Sequence, residues 1–348
     1  MRVAAIDCGT NSIRLLIADV TIEGEISLTD VVRRMTVVRL GEGVDKTGEF
    51  SEAALERTFA AVDDYAALIR RHQVEAVRFV ATSASRDVSN REAFVDGVRQ
   101  RLRTVFPDFS GPEVIRGSEE AGLSFAGASS LLDWDPERKV LVVDLGGGST
   151  EFVLGTCEGV EHAISTDMGS VRFTERHMRS DPPQETECSM ATFETLSFLE
   201  DVAQVIPLHE TQTVIGVAGT ITTVTAHALK LEDYDSEAIH GAELSLDTIQ
   251  QSVDQLVHST RDQRSAMPFM HPGRVDVIGA GALIWGTILE YLNKITEGRV
   301  STAITSENDI LDGIAMRIAA DRTHSGKAQL GQAEPSAAAE TTEGGAGE

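Results

Sequence analysis

Apolar and polar residues alternate along the chain with two periods, one typical of buried strands and one typical of helices. Short runs of nearly continuous apolar residues predict strands over residues 3–7, 13–20, 76–82, 140–145, 151–154 and 213–217. Longer segments of helical periodicity predict helices over residues 52–72, 90–106, 119–132, 246–259, 275–292 and 308–319. This alternation of strands and helices indicates an α/β protein.

The first strand and its turn recur near the middle of the chain. Residues 4–17 read AAIDCGTNSIRLLI and residues 141–154 read LVVDLGGGSTEFVL, so each copy is an apolar strand, an Asp-x-Gly turn and a second strand. A turn rich in Gly, Ser and Thr can direct several backbone N–H groups at an anion. The aspartate that ends the strand, Asp7 or Asp144, can hold a hydrated Mg²⁺ beside a phosphate.

Each copy taken alone is also the ordinary pattern of a β-hairpin, which carries no function. Two matched copies, one in each half of the chain, instead suggest two lobes that face each other with a phosphate between their turns.

Composition narrows the classes of function. The chain has 348 residues, which is long enough for two domains. Its net charge of −25 argues against binding to nucleic acid or an anionic membrane. The N-terminus has no signal-peptide pattern, and no apolar stretch reaches the roughly 18 residues of a membrane span. The three cysteines lack metal-binding spacing and are odd in number. We therefore expect a cytoplasmic protein, whose anionic substrate must meet a local basic patch.

The C-terminal segment differs from the rest of the chain. Residues 323–348 are rich in Ala, Gly, Glu and Thr and have no apolar period. The composition predicts a disordered acidic tail.

Several ordered motifs identify a family resemblance that spans about 320 residues. They are DCGTNS (7–12), ATSASR (81–86), GSEEA (117–121), DLGGGSTE (144–151), MGSVR (168–172), GVAGT (216–220) and PGRVD (272–276). Together they resemble the exopolyphosphatase/guanosine pentaphosphate phosphatase family, a branch of the actin-like superfamily. The resemblance implies an α/β fold with two ribonuclease H/actin-like domains flanking a central cleft. The implied boundaries are 1–124 plus 305–322 for domain I and 125–304 for domain II.

The resemblance also implies roles for individual residues. Glu120 matches the catalytic base and Asp144 the water-orienting aspartate of the family. The metal, Mg²⁺ or another divalent cation such as Mn²⁺, would be held by Asp7, Asp144 and Glu151. Substrate phosphates would be bound by Thr10, Asn11, Ser12, Arg86, Gly146, Gly147, Gly148 and Ser149.

Without the resemblance, simpler interpretations hold for the same residues. Ser118, Glu119 and Glu120 are also a typical helix start, because acids are favoured near a helix N-terminus. Asp7 and Asp144 can be turn-capping residues.

The function implied is release of terminal orthophosphate from inorganic polyphosphate, with water attacking under Mg²⁺ assistance. Short chains are expected, because long-chain relatives resemble this protein plus further C-terminal domains. Guanosine pentaphosphate is the alternative substrate, since the motifs touch only the terminal phosphate. An ATP-dependent actin-like kinase or nucleotide-binding protein is a second alternative, raised by the glycine-rich segment 216–220. Members of the family often dimerise, so the resemblance raises a homodimer, for which the sequence itself has no specific feature.

Overall fold

The structure is a computed structural model of the chain that describes residues 1–23, 25–86, 88–131, 135 and 137–330. The strands are β1 (Arg2–Cys8), β2 (Ser12–Glu23), β3 (Glu25–Val37), β4 (Ala76–Ala81), β5 (Glu113–Val114), β6 (Val140–Leu145), β7 (Thr150–Thr156), β8 (Gly159–Thr166), β9 (Thr213–Val217), β10 (Glu243–Ser245) and β11 (Thr302–Thr305). The helices are α1 (Val44–Thr47), α2 (Glu52–Arg71), α3 (Ser83–Arg86), α4 (Arg91–Leu102), α5 (Gly117–Ala128), α6 (Ser170–His177), α7 (Glu185–Val205), α8 (Gly219–Ala228), α9 (Ser236–Ile239), α10 (Leu246–His258), α11 (Arg261–Ser265), α12 (Ile278–Ile295) and α13 (Ile310–Leu330).

The strands form two sheets that share one topology. The first sheet has the order β3-β2-β1-β4-β5 and the second β10-β11-β9-β6-β7-β8. In each, an antiparallel hairpin, β1–β2 or β6–β7, pairs with a parallel strand, β4 or β9. Strands β6 to β9 thus take the positions of β1 to β4, and the sequence repeat is a repeat of topology. We call the unit on the first sheet the first lobe and the unit on the second sheet the second lobe.

The first strand of each hairpin, β1 or β6, is buried on both faces. In β1, Ala4 and Ile6 pack in one core with residues of α2, and Val3 and Ala5 pack in another with residues of α13. A strand covered on both faces has no solvent side, so its apolar residues are nearly continuous instead of alternating. The same condition explains the fully buried run of β6.

The last helix returns to the first lobe and crosses α5. Helix α13 packs against β1, β2 and β4, and α5 packs against β6, β7 and β8 of the second lobe. At the crossing, a Cβ added to Gly127 would lie 1.9 Å from the carbonyl oxygen of Asp309, and one added to Gly313 would lie 1.9 Å from that of Leu123. These two glycines therefore permit the close contact that joins the lobes.

Each predicted strand and helix has an observed counterpart, with shifts at several ends. The helix predicted over 90–106 ends at Leu102. The helix predicted over 275–292 begins at Ile278, because the preceding residues form a separate turn that starts at Pro272. Patterns of this kind locate elements better than their ends.

The last helix is longer than predicted. It continues to Leu330, past the predicted start of the tail at residue 323, since extending an existing helix is far easier than starting one. The rest of the predicted tail, residues 331–348, lies outside the described residues. The domain boundaries stay a prediction.

Across the described ranges, none of the helices combines the length and the apolar character that crossing a bilayer requires.

The crossing of α5 and α13 can be tested by adding one methyl group. Gly127→Ala should destabilise the protein by about 1–3 kcal/mol, because its Cβ meets backbone that cannot move aside. Gly122→Ala on the same helix is the matched control. Its Cβ meets nothing within 4 Å, so the better helix former should stabilise by about 0.5–1 kcal/mol. Urea denaturation of both variants measures this, and equal effects would contradict the close crossing.

Candidate active site

The two turns of the repeat have the same local structure. In the first turn, the N–H of Gly9 donates to the carbonyl oxygen of Ser12 at 3.0 Å. In the second, the N–H of Gly146 donates to that of Ser149 at 2.9 Å. The two turns are therefore equivalent in conformation as well as in sequence.

The turns approach each other closely. A Cβ added to Gly147 would lie 3.1 Å from Thr10 Cβ and 3.3 Å from the backbone nitrogen of Asn11. One added to Gly148 would lie 2.5 Å from Thr10 Oγ1 and 2.8 Å from Ser83 Oγ. Glycine at both positions brings the second-lobe turn against the first-lobe turn, as the repeat predicts.

The residues opposite the two aspartates differ between the hairpins. Asp7 faces Arg14 across β1–β2, and Asp144 faces Glu151 across β6–β7. Arg14 donates from Nε and Nη2 to Asp7 Oδ2, at 3.1 and 2.6 Å. Arg14 also pairs with Asp309 at the start of α13. The first hairpin therefore has an ion pair where the second has two neighbouring acids.

Glu120 reaches this region from the first turn of α5. Its Oε2 accepts a hydrogen bond from Arg86 Nη1 at 2.7 Å, and the same arginine donates to the carbonyl oxygen of Ile115 at 3.2 Å. Glu120 is 7% exposed, whereas the side chain of its neighbour Glu119 is 48% exposed and pairs with Arg78. Of the two acids, Glu120 is the one held in the cleft.

Most of the predicted site residues line one cavity of about 100 Å³ between the lobes. The predicted residues that line it are Asp7, Thr10, Asn11, Ser12, Glu120, Asp144, Gly146, Gly147, Ser149 and Glu151. Two others lie beside it. Arg86 lies behind Glu120 as its ion-pair partner, and Gly148 packs against Thr10 and Ser83.

The acids of this cavity oppose each other's ionisation. Burial raises the pKa of Glu120 to about 7, although Arg86 favours the charged form. Burial also raises the pKa of Asp144 to about 6, against the effect of a hydrogen bond from Ser124. The pKa of Glu151 is raised by burial and by the charges of Glu120 and Asp144. Burial, together with repulsion between the acids, favours either a shared proton or a bound cation.

The oxygen atoms present fit a divalent cation that is bound together with a phosphate. Asp7 Oδ1 and Asn11 Oδ1 are buried and have no hydrogen-bond partner. In the described residues, no group of three or more His, Cys, Asp or Glu side chains could hold a metal ion by itself. Mg²⁺ usually takes one or two carboxylates and completes its shell with water and substrate phosphate oxygens. Asp7, with Asp144 or Glu151, can supply the protein's share.

Three further residues contact the acids of the site, of which the sequence suggested only Arg14, as a possible member of the basic patch. Arg14 binds Asp7, Ser124 Oγ donates to Asp144 Oδ2 at 2.6 Å, and Ser165 Oγ donates to Glu151 Oε1 at 2.6 Å. Arg14 has a signal in the sequence, namely its place opposite Asp7 in the predicted hairpin. Ser124 has a weaker one, since it follows Glu120 by one helical turn.

A second cavity of about 500 Å³ adjoins the first. The two cavities share Arg14, Met35, Ala218, Gly219 and Arg274 as lining residues. The second cavity has basic, acidic and apolar lining residues, which include Arg33, Arg34, Asp233, Glu307, Asp309, Tyr234, Phe269, Met270 and His271. A substrate whose end lies in the first cavity can therefore extend into the second.

Comparison with known proteins identifies similar sequences and folds. A sequence profile described as the Ppx/GppA phosphatase family matches residues 17–316. Exopolyphosphatase 2 of Mycobacterium tuberculosis is 47% identical over 321 residues, which are 91% of this chain and 98% of that protein.

Solved structures of similar proteins have the same fold as this chain. The crystal structure of an exopolyphosphatase-like protein has 39% identity and a TM-score of 0.85, covering 92% of this chain and 100% of that one. The Aquifex aeolicus member of the Ppx/GppA family has 31% identity and a TM-score of 0.74, covering 93% and 99%. The predicted α/β fold of two actin-like domains is confirmed.

The raised pKa of Glu120 predicts how stability depends on pH. Its pKa is about 4.5 in the unfolded chain and about 7 in the folded one, so the folded state binds more protons and stability falls as pH rises through this range. Glu120→Gln removes this loss. Its melting temperature should exceed that of the wild type by more at pH 8 than at pH 5. An equal or smaller gain at pH 8 would contradict a raised pKa.

Proposed function

Because the chain belongs to the Ppx/GppA phosphatase family, we propose that it is an exopolyphosphatase that releases terminal orthophosphate from inorganic polyphosphate. The enzyme class is that of a phosphoanhydride hydrolase. The observation that carries the proposal is Glu120, a buried acid at the point where the two turns meet. The name of the 47% identical mycobacterial relative, exopolyphosphatase 2, supports the same substrate.

The reaction needs a water molecule, a base and a held phosphoryl group. In this proposal the terminal phosphoryl group lies between the turns, where backbone N–H groups and the hydroxyls of Thr10 and Ser149 can donate to its oxygens. Glu120 accepts a proton from the water while the water oxygen bonds to the terminal phosphorus. The bridging P–O bond breaks, and its oxygen leaves with the shortened chain. A pKa of about 7 suits a general base at neutral pH, and Arg86 keeps the carboxylate oriented.

The same proposal includes a divalent cation, Mg²⁺ or Mn²⁺. Four acids, Asp7, Glu120, Asp144 and Glu151, line the cavity that would receive an anion. Asp7 and Asp144 are best suited to hold the cation, with Glu151 beside them. When bound, the cation would neutralise charge on the phosphate oxygens during transfer.

We further propose that short chains are preferred. The arginines are confined to a small region, because Arg14, Arg33, Arg34 and Arg274 line the second cavity together with Asp233, Glu307 and Asp309. Four arginines in one chamber suit a few phosphates better than a long polyanion.

Guanosine pentaphosphate is a second candidate substrate, favoured by the second cavity. Its lining includes Tyr234, Phe269 and Met270 next to the arginines. Inorganic polyphosphate has no apolar or aromatic group that could pack against these side chains. A nucleoside attached to the phosphate chain could use them.

The proposal also covers the cellular location and the oligomeric state of the enzyme. A cytoplasmic location agrees with the three free cysteines, of which Cys157 is exposed. The homodimer stays a prediction.

The role of Glu120 predicts a large and specific loss of activity. Glu120→Ala should lower phosphate release with Mg²⁺ at least ~100-fold, the order expected for removal of a general base. Glu119→Ala is the matched control, because this neighbour is exposed and pairs with Arg78, and it should stay within about threefold of the wild type. Triphosphate, long polyphosphate, guanosine pentaphosphate and ATP are assayed in parallel.

The substrate ranking decides between the candidates. Activity on polyphosphate alone supports the first candidate, and activity on guanosine pentaphosphate alone supports the second. A wild-type protein that hydrolyses neither substrate but binds ATP would contradict the proposed hydrolase activity and favour the nucleotide-binding alternative.

The acidic lining also predicts a strict need for a cation. Treatment with EDTA should abolish phosphate release, and added Mg²⁺ or Mn²⁺ should restore it. Asp144→Asn should raise the Mg²⁺ concentration needed for half-maximal activity by about 10-fold or more, since one cation ligand is lost. Full activity in EDTA would rule out the cation.

A further inference from the structure

Ser124 is a buried polar residue on an otherwise apolar part of α5. Its neighbours Ala121, Phe125 and Ala128 pack into a core with Val140 and other residues of the second sheet, and Ser124 itself is 0% exposed. A buried hydroxyl without a partner destabilises a protein, so the position calls for a hydrogen bond.

The hydrogen bond that Ser124 makes differs from that of three buried threonines on other helices. Thr58, Thr195 and Thr287 each donate to the carbonyl oxygen four residues earlier in their own helix, at 2.8 Å. That bond is the usual solution for a hydroxyl within a helix. Ser124 Oγ instead donates out of its helix to Asp144 Oδ2 at 2.6 Å.

The carboxylate that receives this bond is poorly held by its other neighbours. Glu151 is its cross-strand partner, and Glu120 projects one helical turn before Ser124 on α5, so two acids flank it. The charge of Arg14 attracts Asp144 towards the first lobe. Without a fixed donor, repulsion from the acids and attraction to Arg14 would turn the carboxylate away from the second turn.

We infer that Ser124 is a positioning residue, whose hydroxyl fixes the direction of the Asp144 carboxylate relative to Glu120 and the reaction cavity. One helix then carries both the base and the donor that orients the acid beside it, so Glu120 and Asp144 keep a constant separation. The helix is itself anchored by its apolar contacts with β6, β7 and β9. This inference rests on the proposed function only for the reaction assayed, because the orientation of Asp144 can be observed directly.

The test compares Ser124→Ala with Ser252→Ala. Ser252 is a buried helical serine on α10, away from both cavities, so its variant has the same chemical change without the contact to Asp144. Ser124→Ala should melt within a few degrees of the control. Its kcat should fall about 10- to 100-fold, the usual effect of removing a residue that orients a site acid, with KM changed less than about threefold.

A crystal structure of Ser124→Ala supplies the second readout. The Asp144 carboxylate is expected to leave its present position and turn towards Arg14. An unmoved carboxylate overturns the inference whatever the kinetics, and so does a kcat within about threefold of that of Ser252→Ala. If the wild type hydrolyses none of the four substrates, the proposed function fails and the position of Asp144 alone decides the inference.

Discussion

The structure depends on keeping four carboxylates, Asp7, Glu120, Asp144 and Glu151, buried around one cavity between two lobes. Burying several like charges is strongly unfavourable unless cations or protons compensate them. The protein uses both kinds of compensation. Arg14 and Arg86 pair with Asp7 and Glu120, and the raised pKa values of Asp144 and Glu151 favour protonation or a bound cation. In the proposed function, a divalent cation bound between these acids would complete the compensation.

The two halves of the repeat have diverged at the position that sets this balance. Their turns close with the same hydrogen bond, and each strand ends in an aspartate. Opposite that aspartate, however, stands Arg14 in the first lobe and Glu151 in the second. The aspartate of one turn is therefore paired with an arginine of its own hairpin, while the other aspartate faces a second acid. The two lobes therefore share a topology but differ in charge at the site.

The repeat made both lobes and both turns predictable, because local chemistry decides a Gly-rich hairpin. The role of Glu120 was harder to predict, because Glu119 and Glu120 are equally typical of the first turn of a helix. Only the family resemblance separated them, and their different exposure arises from how α5 packs on the second sheet. Arg86 was predicted from the resemblance to hold substrate, and in the structure it pairs with Glu120. The bond from Ser124 to Asp144 joins two elements in space, so the spacing of Ser124 from Glu120 places it near the site without indicating its partner.

The net charge of −25 raised the question of how this chain can receive a polyanion. Ion pairs across the cleft supply part of the answer. Asp45 of the first lobe pairs with Arg172 and Arg176 of the second, and Arg39 pairs with Asp276, so charges at the cleft rim neutralise each other. Arg172 is thereby engaged in closing the lobes. Arg274 instead donates to Thr223 Oγ1 at 3.0 Å and lies where the two cavities meet. Arg14 and Arg274, which could attract an anion, therefore lie inside the cleft beside the buried acids, and not on a basic outer surface.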